Sequence, residues 1–299
     1  MMSKSNYKIV ITGGGSGIGA ALALELDSVG HSVIICGRRV ERLKEVATQS
    51  KNITFFKCDV SNEKNVIAFK HFVGEQHDYI DVLINCAGLF GAIGRFDQTD
   101  SKLWKKTIDI NLYGTYLVTK HFLHLLLRSN VKKIINLSGG GAFGTFPNFG
   151  AYAVSKAAVV RFSENIACEL ADLGVQVNCL APGFVATEIH DATLKAGLKK
   201  AGAAHYKETK TKLKVGAVSM QIPINCIKFL ISSESNGLSG KTISAGFDKW
   251  GTTEFKQSIN EMSNSELYTL RRINLSNLDA NDNLRKKLID LYKSGENSL

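Results

Sequence analysis

Six short apolar runs punctuate the first 180 residues, at Lys8–Thr12, Ser32–Cys36, Ile53–Cys58, Asp81–Asn85, Lys133–Ser138 and Val175–Leu180. The stretches between them carry apolar residues at helical spacing instead: Ala20, Leu22, Leu24 and Leu26, then Leu43 and Val46, then Val66, Ala68, Phe69 and Phe72. Strand and helix in strict alternation predict parallel strands joined by crossover helices, hence an α/β, doubly wound sheet. Such sheets bind ligands beyond the carboxyl ends of their strands, so the chemistry is expected in the turns that follow the apolar runs.

Composition narrows the class without changing that picture. With 299 residues, 44% hydrophobic and 21% charged, and 27 Gly against 3 Pro, the chain is an ordinary globular one. Disordered, collagen-like and coiled-coil readings are excluded, and the length suits one large α/β domain or two small ones. No run of eighteen uncharged apolar residues occurs, so no spanning helix and no membrane partner are expected. The opening MMSKSNYKIV lacks the apolar stretch of a signal peptide, which predicts a cytoplasmic protein. Cys36, Cys58, Cys86, Cys168, Cys179 and Cys226 are scattered without CxxC or nearby His, favouring reduced, buried thiols over disulfides and no metal site.

Charge adds one local feature. The 37 Lys and Arg outnumber the 27 Asp and Glu, and much of the net +10 comes from Lys195, Lys199, Lys200, Lys207, Lys210, Lys212 and Lys214 against the single Glu208. A nucleic-acid groove would interleave arginines and aromatics, whereas this stretch has only Tyr206, so nucleic acid is not an expected partner. A solvated lysine-rich helix accounts for it equally well.

The turn after the first run reads Thr12-Gly13-Gly14-Gly15-Ser16-Gly17-Ile18-Gly19 and opens directly into a helix. Glycines let the backbone approach a pyrophosphate, whose charge is met by free N–H groups and the positive end of the helix dipole. The spacing is G-x-x-x-G-x-G, not the commoner G-x-G-x-x-G, and a tight strand-to-helix connection alone would also use it. Three further turns strengthen the nucleotide reading: Asp59-Val60, whose carboxylate suits an adenine, Asn85-Cys86-Ala87-Gly88, and Pro182-Gly183. The second run ends Gly37-Arg38-Arg39, with no acid for the ribose 2′-hydroxyl of NAD. Arg38, helped by Arg39 and Ser16, matches a 2′-phosphate through paired guanidinium bonds, which favours NADP(H) and leaves NAD(H) open. The same arginines also fit the solvated face of the next helix.

Tyr152 and Lys156 stand four residues apart in a helical segment and therefore share a face. A lone phenol is mostly protonated at neutral pH. A neighbouring ammonium and a positive nicotinamide ring stabilise the phenolate, which makes Tyr152 a candidate general acid/base for an alcohol proton. Many YxxxK pairs are nonetheless ordinary helix-surface residues.

Taken together, TGGGSGIG (12–19), Asp59, NCAG (85–88), Asn111 of DINLYG, INLS (135–138), YAVSK (152–156) and NCLAPGFVATE (178–188) resemble the classical short-chain dehydrogenase/reductase family, from residue 7 to about residue 250. The resemblance implies a Rossmann-type sheet of about seven strands with helices on both faces, the seventh strand near Lys241–Ala245. It implies one domain over residues 1–250 with a substrate lid at about 188–222, followed by a partly helical C-terminal extension at 251–299. It further implies an NADP(H)-dependent oxidoreductase that moves hydride between nicotinamide and a carbonyl or secondary alcohol. Tyr152 would be the acid/base, Lys156 would hold the nicotinamide ribose, and Asn111 would hold a water in the proton relay. The implied cofactor contacts are Gly13, Gly15, Ser16, Gly17, Ile18, Gly19, Arg38, Arg39, Asp59, Val60, Asn85, Ala87, Gly88, Tyr152, Lys156, Pro182, Gly183, Val185 and Thr187. Helices near 101–128 and 151–173 resemble those that pair across subunits, implying a homodimer or homotetramer.

One departure stands out. The family's carbonyl-polarising serine lies thirteen residues before the tyrosine, and that position here is Gly139, with Ser138 one residue early. Either the Ser138 hydroxyl or a backbone N–H takes over, or the substrate supplies its own arrangement, or catalysis is impaired and the protein is a cofactor-binding sensor or scaffold. The lysine cluster falls in the lid and favours an anionic substrate through screened attraction. INLSGGGA and LSGKTISAGFDKW (238–250) resemble relatives associated with surface-polysaccharide and unusual-sugar synthesis, which points to a sugar-derived substrate. In the extension, Leu284, Leu288, Leu291 and Tyr292 fit one helix face, with acids at Asp279–Asp282 near its start.

Overall fold

The computed structural model describes residues 6–271; the chain divides into a compact unit, Met1–Thr269, and a second unit, Leu270–Leu299. In the first unit the elements run β1 (Lys8–Thr12), α1 (Gly17–Ser28), β2 (Ser32–Gly37), α2 (Val40–Ala47), β3 (Ile53–Lys57), α3 (Glu63–Gln76), β4 (Val82–Asn85), α4 (Ser101–Ile108), α5 (Gly114–Leu127), β5 (Lys133–Leu137), α6 (Gly150–Glu169), β6 (Gln176–Ala181), α7 (Asp191–Ala201), α8 (Ala203–Val215), α9 (Gln221–Ile231), β7 (Thr242–Ser244), α10 (Thr253–Gln257) and α11 (Ile259–Ser263). The seven strands form a single parallel sheet in the order β3-β2-β1-β4-β5-β6-β7. Every strand lies within one residue of its expected ends.

Alternation along the strands builds the two layers. Ile9, Ile11, Val33, Ile35, Val82, Ile84 and Ile135 face one cluster with Leu22 and Leu26 of α1 and Ile227 and Leu230 of α9. Val10, Ile34, Leu83 and Ile134 face the other, against Phe69 of α3 and Leu117 and Phe122 of α5. Phe255, Ile259 and Met262 of α10 and α11 join the first cluster, so the chain just past residue 250 is packed into the core.

Two expectations change. The helix expected over 101–128 is interrupted by a π-helical turn at Asp109–Tyr113, between α4 and α5. An extra residue in the helical ladder shifts side-chain direction, and such turns mark functional positions; here it carries Asn111. Among the six free cysteines, Cys168 is exposed rather than buried. It lies near the end of α6, which stops at Glu169 rather than near 173. The apolar stripe of Leu284, Leu288, Leu291 and Tyr292 lies outside the described residues. Among the described residues, no helix is long and apolar enough to cross a membrane, and no cluster of potential metal ligands occurs.

Candidate active site

The carboxyl edge of the sheet opens into a cavity of about 920 Å³. At one end, Thr12 closes β1 by accepting bonds at its hydroxyl from the N–H groups of Cys86 and Ala87, both 3.1 Å, which draws the end of β4 against the glycine-rich turn. The approach is so close that a Cβ on Gly13, where φ is +70°, would lie 2.8 Å from the Ala87 backbone. A Cβ on Gly19 would lie 2.4 Å from the Gly13 carbonyl oxygen. Side chains are therefore excluded from the mouth of α1. Ser16 makes no side-chain capping bond, and the first turn of α1 holds no acid. The helix thus presents open N–H groups and its positive dipole end, the donor set that a pyrophosphate requires.

Gly13, Gly15, Ser16, Gly17, Ile18, Arg38, Arg39, Asp59, Val60, Ala87, Gly88, Pro182, Gly183, Val185 and Thr187 all line the cavity, with Ser138, Tyr152 and Lys156. Three expected residues stand behind the wall instead. Gly19 serves the turn itself. Asn85 spends its amide on Thr119 Oγ1 at 3.0 Å and Asn136 Oδ1 at 2.9 Å, tying β4 to α5 and β5 beneath the site. Asn111, wholly buried, donates to the Leu89 carbonyl and to Ser155 Oγ, both 2.9 Å, and accepts from Leu89 N–H at 2.9 Å. Asp59 has one carboxylate oxygen engaged by Ser61, through its N–H at 3.0 Å and its hydroxyl at 2.7 Å.

The arginines after β2 divide differently from expectation. Arg39, not Arg38, reaches Ser16, its Nη2 donating to the hydroxyl at 2.9 Å. Both Arg39 and Arg42 also pair with Glu188, each at 3.1 Å. The acid missing beside β2 in the sequence therefore arrives from the start of the lid, 149 residues away along the chain. That base is held in place where Val218 N–H donates to the Phe184 carbonyl at 2.8 Å.

At the other end, α6 brings Tyr152 and Lys156 into the cavity, both almost fully buried. The Lys156 ammonium donates to the Leu137 carbonyl at 2.7 Å and lies 5.7 Å from the Tyr152 ring centre. Burial pushes its pKa down to about 8 and pushes the Tyr152 phenol well above its usual value. The Tyr152 hydroxyl lies so close to Gly139 that a Cβ there would be 2.2 Å from it. Ser138 lines the same cavity, and its hydroxyl is buried with no hydrogen-bond partner among the described residues.

The sequence reading missed Arg42, Glu188, and a ring-rich wall of Phe90, Phe146, Phe184, His190 and His205. Arg42, one turn beyond Arg39 on α2, had a local signal. The rings had none, since they come from four separate segments.

A family model described as short chain dehydrogenase matches residues 7–197. Pig dehydrogenase/reductase SDR family member 4 is 27% identical over 248 residues, spanning 81% of this chain and 86% of that protein. A short-chain type dehydrogenase/reductase from Mycobacterium ulcerans superposes with a TM-score of 0.71 at 28% identity, covering 80% of this chain and 88% of that one. A short chain dehydrogenase from Escherichia coli CFT073, solved with NADPH, shares the fold at a TM-score of 0.70 and 21% identity, over 82% of this chain and 99% of its own. With the glycine cradle and the tyrosine–lysine pair on one cavity, these matches show that the chain belongs to the short-chain dehydrogenase/reductase family and is an oxidoreductase of that Rossmann-type fold.

Proposed function

We propose that the protein is an NADP(H)-linked reductase or dehydrogenase of a carbonyl or secondary alcohol, with Tyr152 exchanging the substrate proton. The observation that carries this reading is the convergence of Tyr152 and Lys156 on the cavity that also holds the glycine cradle. A bound nicotinamide supplies or accepts the hydride. Lys156, as the ammonium, stabilises phenolate character at Tyr152 and holds the ribose, while Asn111 fixes the Leu89 backbone and Ser155 of the catalytic helix. Gly139 and Gly140 line the cavity, and their N–H groups donate no backbone bond among the described residues. Those N–H groups are the candidates to polarise the carbonyl in place of a serine hydroxyl. NADPH oxidation by the purified protein against a ketone panel, with Tyr152→Phe alongside, tests the assignment.

The arginine cluster supports NADP(H) over NAD(H), with Arg38, Arg39 and Arg42 available to a 2′-phosphate and Glu188 competing for two of them. Glu188→Gln is therefore expected to tighten NADP+ binding about two- to fivefold, the range of an exposed ion pair, and to leave NAD+ binding unchanged. Equilibrium titration of both dinucleotides measures this. Equal effects on the two would remove Glu188 and its arginines from cofactor choice.

The active form needs Lys156 charged, so its protonated state, present below about pH 8, is the competent one. Rising pH through that value deprotonates it and removes the positive charge beside the phenol. The expected pH profile of kcat/KM falls on the alkaline side near pH 8. A profile flat to pH 10 would contradict that role.

The anionic or sugar-derived substrate expectation rests on the lid lysines. Of these only Lys212 lines the cavity, and it is paired with Glu208 at 2.6 Å. The others lie on exposed faces of α7 and α8, where they act only through screened attraction. Homo-oligomerisation is supported by Tyr113 and Tyr116, partly exposed and stacked at 5.8 Å on α5 and the turn before it. A cytoplasmic location fits this reading.

A further inference from the structure

Resting on the reductase reading above, we infer that the substrate end of the cavity is shaped for an uncharged aryl ketone, or the matching aryl alcohol. The surroundings of the Tyr152 hydroxyl are made of rings. Phe90 meets the Tyr152 ring edge to face at 4.7 Å, and Phe146 approaches it at 6.3 Å with an interplanar angle of 69°. Phe184 lies flat on His190 at 3.9 Å, and His205 sits edge-on to Phe146 at 4.8 Å. All six line the cavity.

These rings are fixed rather than adaptable. Phe149, wholly buried behind them, stacks on Phe146 at 4.4 Å and holds Phe90 edge-on at 5.2 Å. Phe90, Phe149, Tyr152 and Ala201 make a hydrophobic cluster of their own, separate from those on the two sheet faces, and Phe146 with Ala196 and Tyr206 of the lid helices packs against it.

The rings themselves carry no charge, and the nearest lysine is already paired. Burial lowers His190 to about 4 and lowers His205 as well, so both imidazoles are neutral at working pH. Lys212 answers Glu208 and lies over the Phe184 face at 5.3 Å. Of the cavity's lysines beyond Lys156, Lys106 stands on α4, outside the ring cluster, so an anion entering among the rings loses its water against neutral neighbours. A sugar would bring more hydroxyls than the wall has polar partners. An aromatic ring gains edge-to-face contacts, each worth about two- to twelvefold in affinity. In the reduction, the carbonyl carbon gains the hydride given up by NADPH, the C=O π bond breaks, and the oxygen takes the Tyr152 proton, which solvent replaces. The products are NADP+ and the secondary alcohol.

The test compares kcat/KM with NADPH for acetophenone, cyclohexyl methyl ketone, 4-acetylbenzoate and fructose, which separates aromaticity from size, charge and hydroxylation. Acetophenone is expected to exceed each of the others by at least about fourfold, the combined effect of two or more ring contacts. Phe146→Leu should lower acetophenone turnover selectively, Phe146→Tyr should restore it, and neither should change NADPH affinity, which also reports folding. Equal or better turnover of any of the other three ketones overturns the inference. If no ketone turns over although NADPH binds, the reductase reading fails. Calorimetry of acetophenone on the NADP+ complex then decides the inference separately, and absence of binding overturns it.

Discussion

Tyr152→Phe is expected to lower NADPH-linked turnover by about 10²–10⁴-fold, the usual contribution of a positioned acid/base, while NADPH affinity stays unchanged. The change removes one hydroxyl and nothing else. The ring keeps its edge-to-face contact with Phe90, and the remainder of the cradle is untouched. In the protein without cofactor, burial holds the phenol protonated well above its ordinary range. The positive charges of Lys156 and of an oxidised nicotinamide must therefore supply the drive toward phenolate in the oxidative direction. Turnover and equilibrium binding measured on the same preparation separate the outcomes. Retained turnover would end the acid/base assignment. Binding without turnover in either protein, on every ketone class, would favour a cofactor-binding sensor.

The second large effect runs against the simple expectation that restoring the family's serine restores an optimal site. Gly139→Ser is expected to reduce kcat/KM by about 10²-fold, the cost of displacing a reacting group by about an ångström. A Cβ at residue 139 would fall 2.2 Å from the Tyr152 oxygen, closer than side chains approach one another. The phenol must withdraw, yet its ring is buried and held by Phe90 at 4.7 Å. Gly139→Ala should share the loss, because the obstruction is the Cβ and not the hydroxyl. A gain of activity in Gly139→Ser would show that the phenol has room to move, and would remove the case for backbone N–H groups as polarisers.

The pattern of apolar runs sufficed for the sheet because parallel strands covered on both faces leave a continuous signature in Ile, Val and Leu, and a glycine-rich turn next to such a run has few other uses. YxxxK was legible because a helix of fixed pitch puts residues four apart on one face. The π turn at Asp109–Tyr113 was not, since one extra residue in a helical ladder leaves no mark in apolar spacing. Asn85 shows the opposite case. Its place in a familiar motif suggested cofactor contact, whereas its Nδ2 is spent on Thr119 and Asn136 beneath the cavity, and its Oδ1 is buried without a partner among the described residues.

By itself, then, the order of residues determined the fold, the glycine-rich turn and the tyrosine–lysine pair, because each rests on contacts between near neighbours or on the pitch of a single element. Tertiary structure alone decided that Glu188 reaches Arg39 and Arg42, that the Ser138 hydroxyl is buried without a partner among the described residues, that Tyr152 rests against Gly139, and that rings line one end of the cavity. Each of these joins segments far apart in the chain, whose approach depends on how the lid and the crossover helices settle on the sheet.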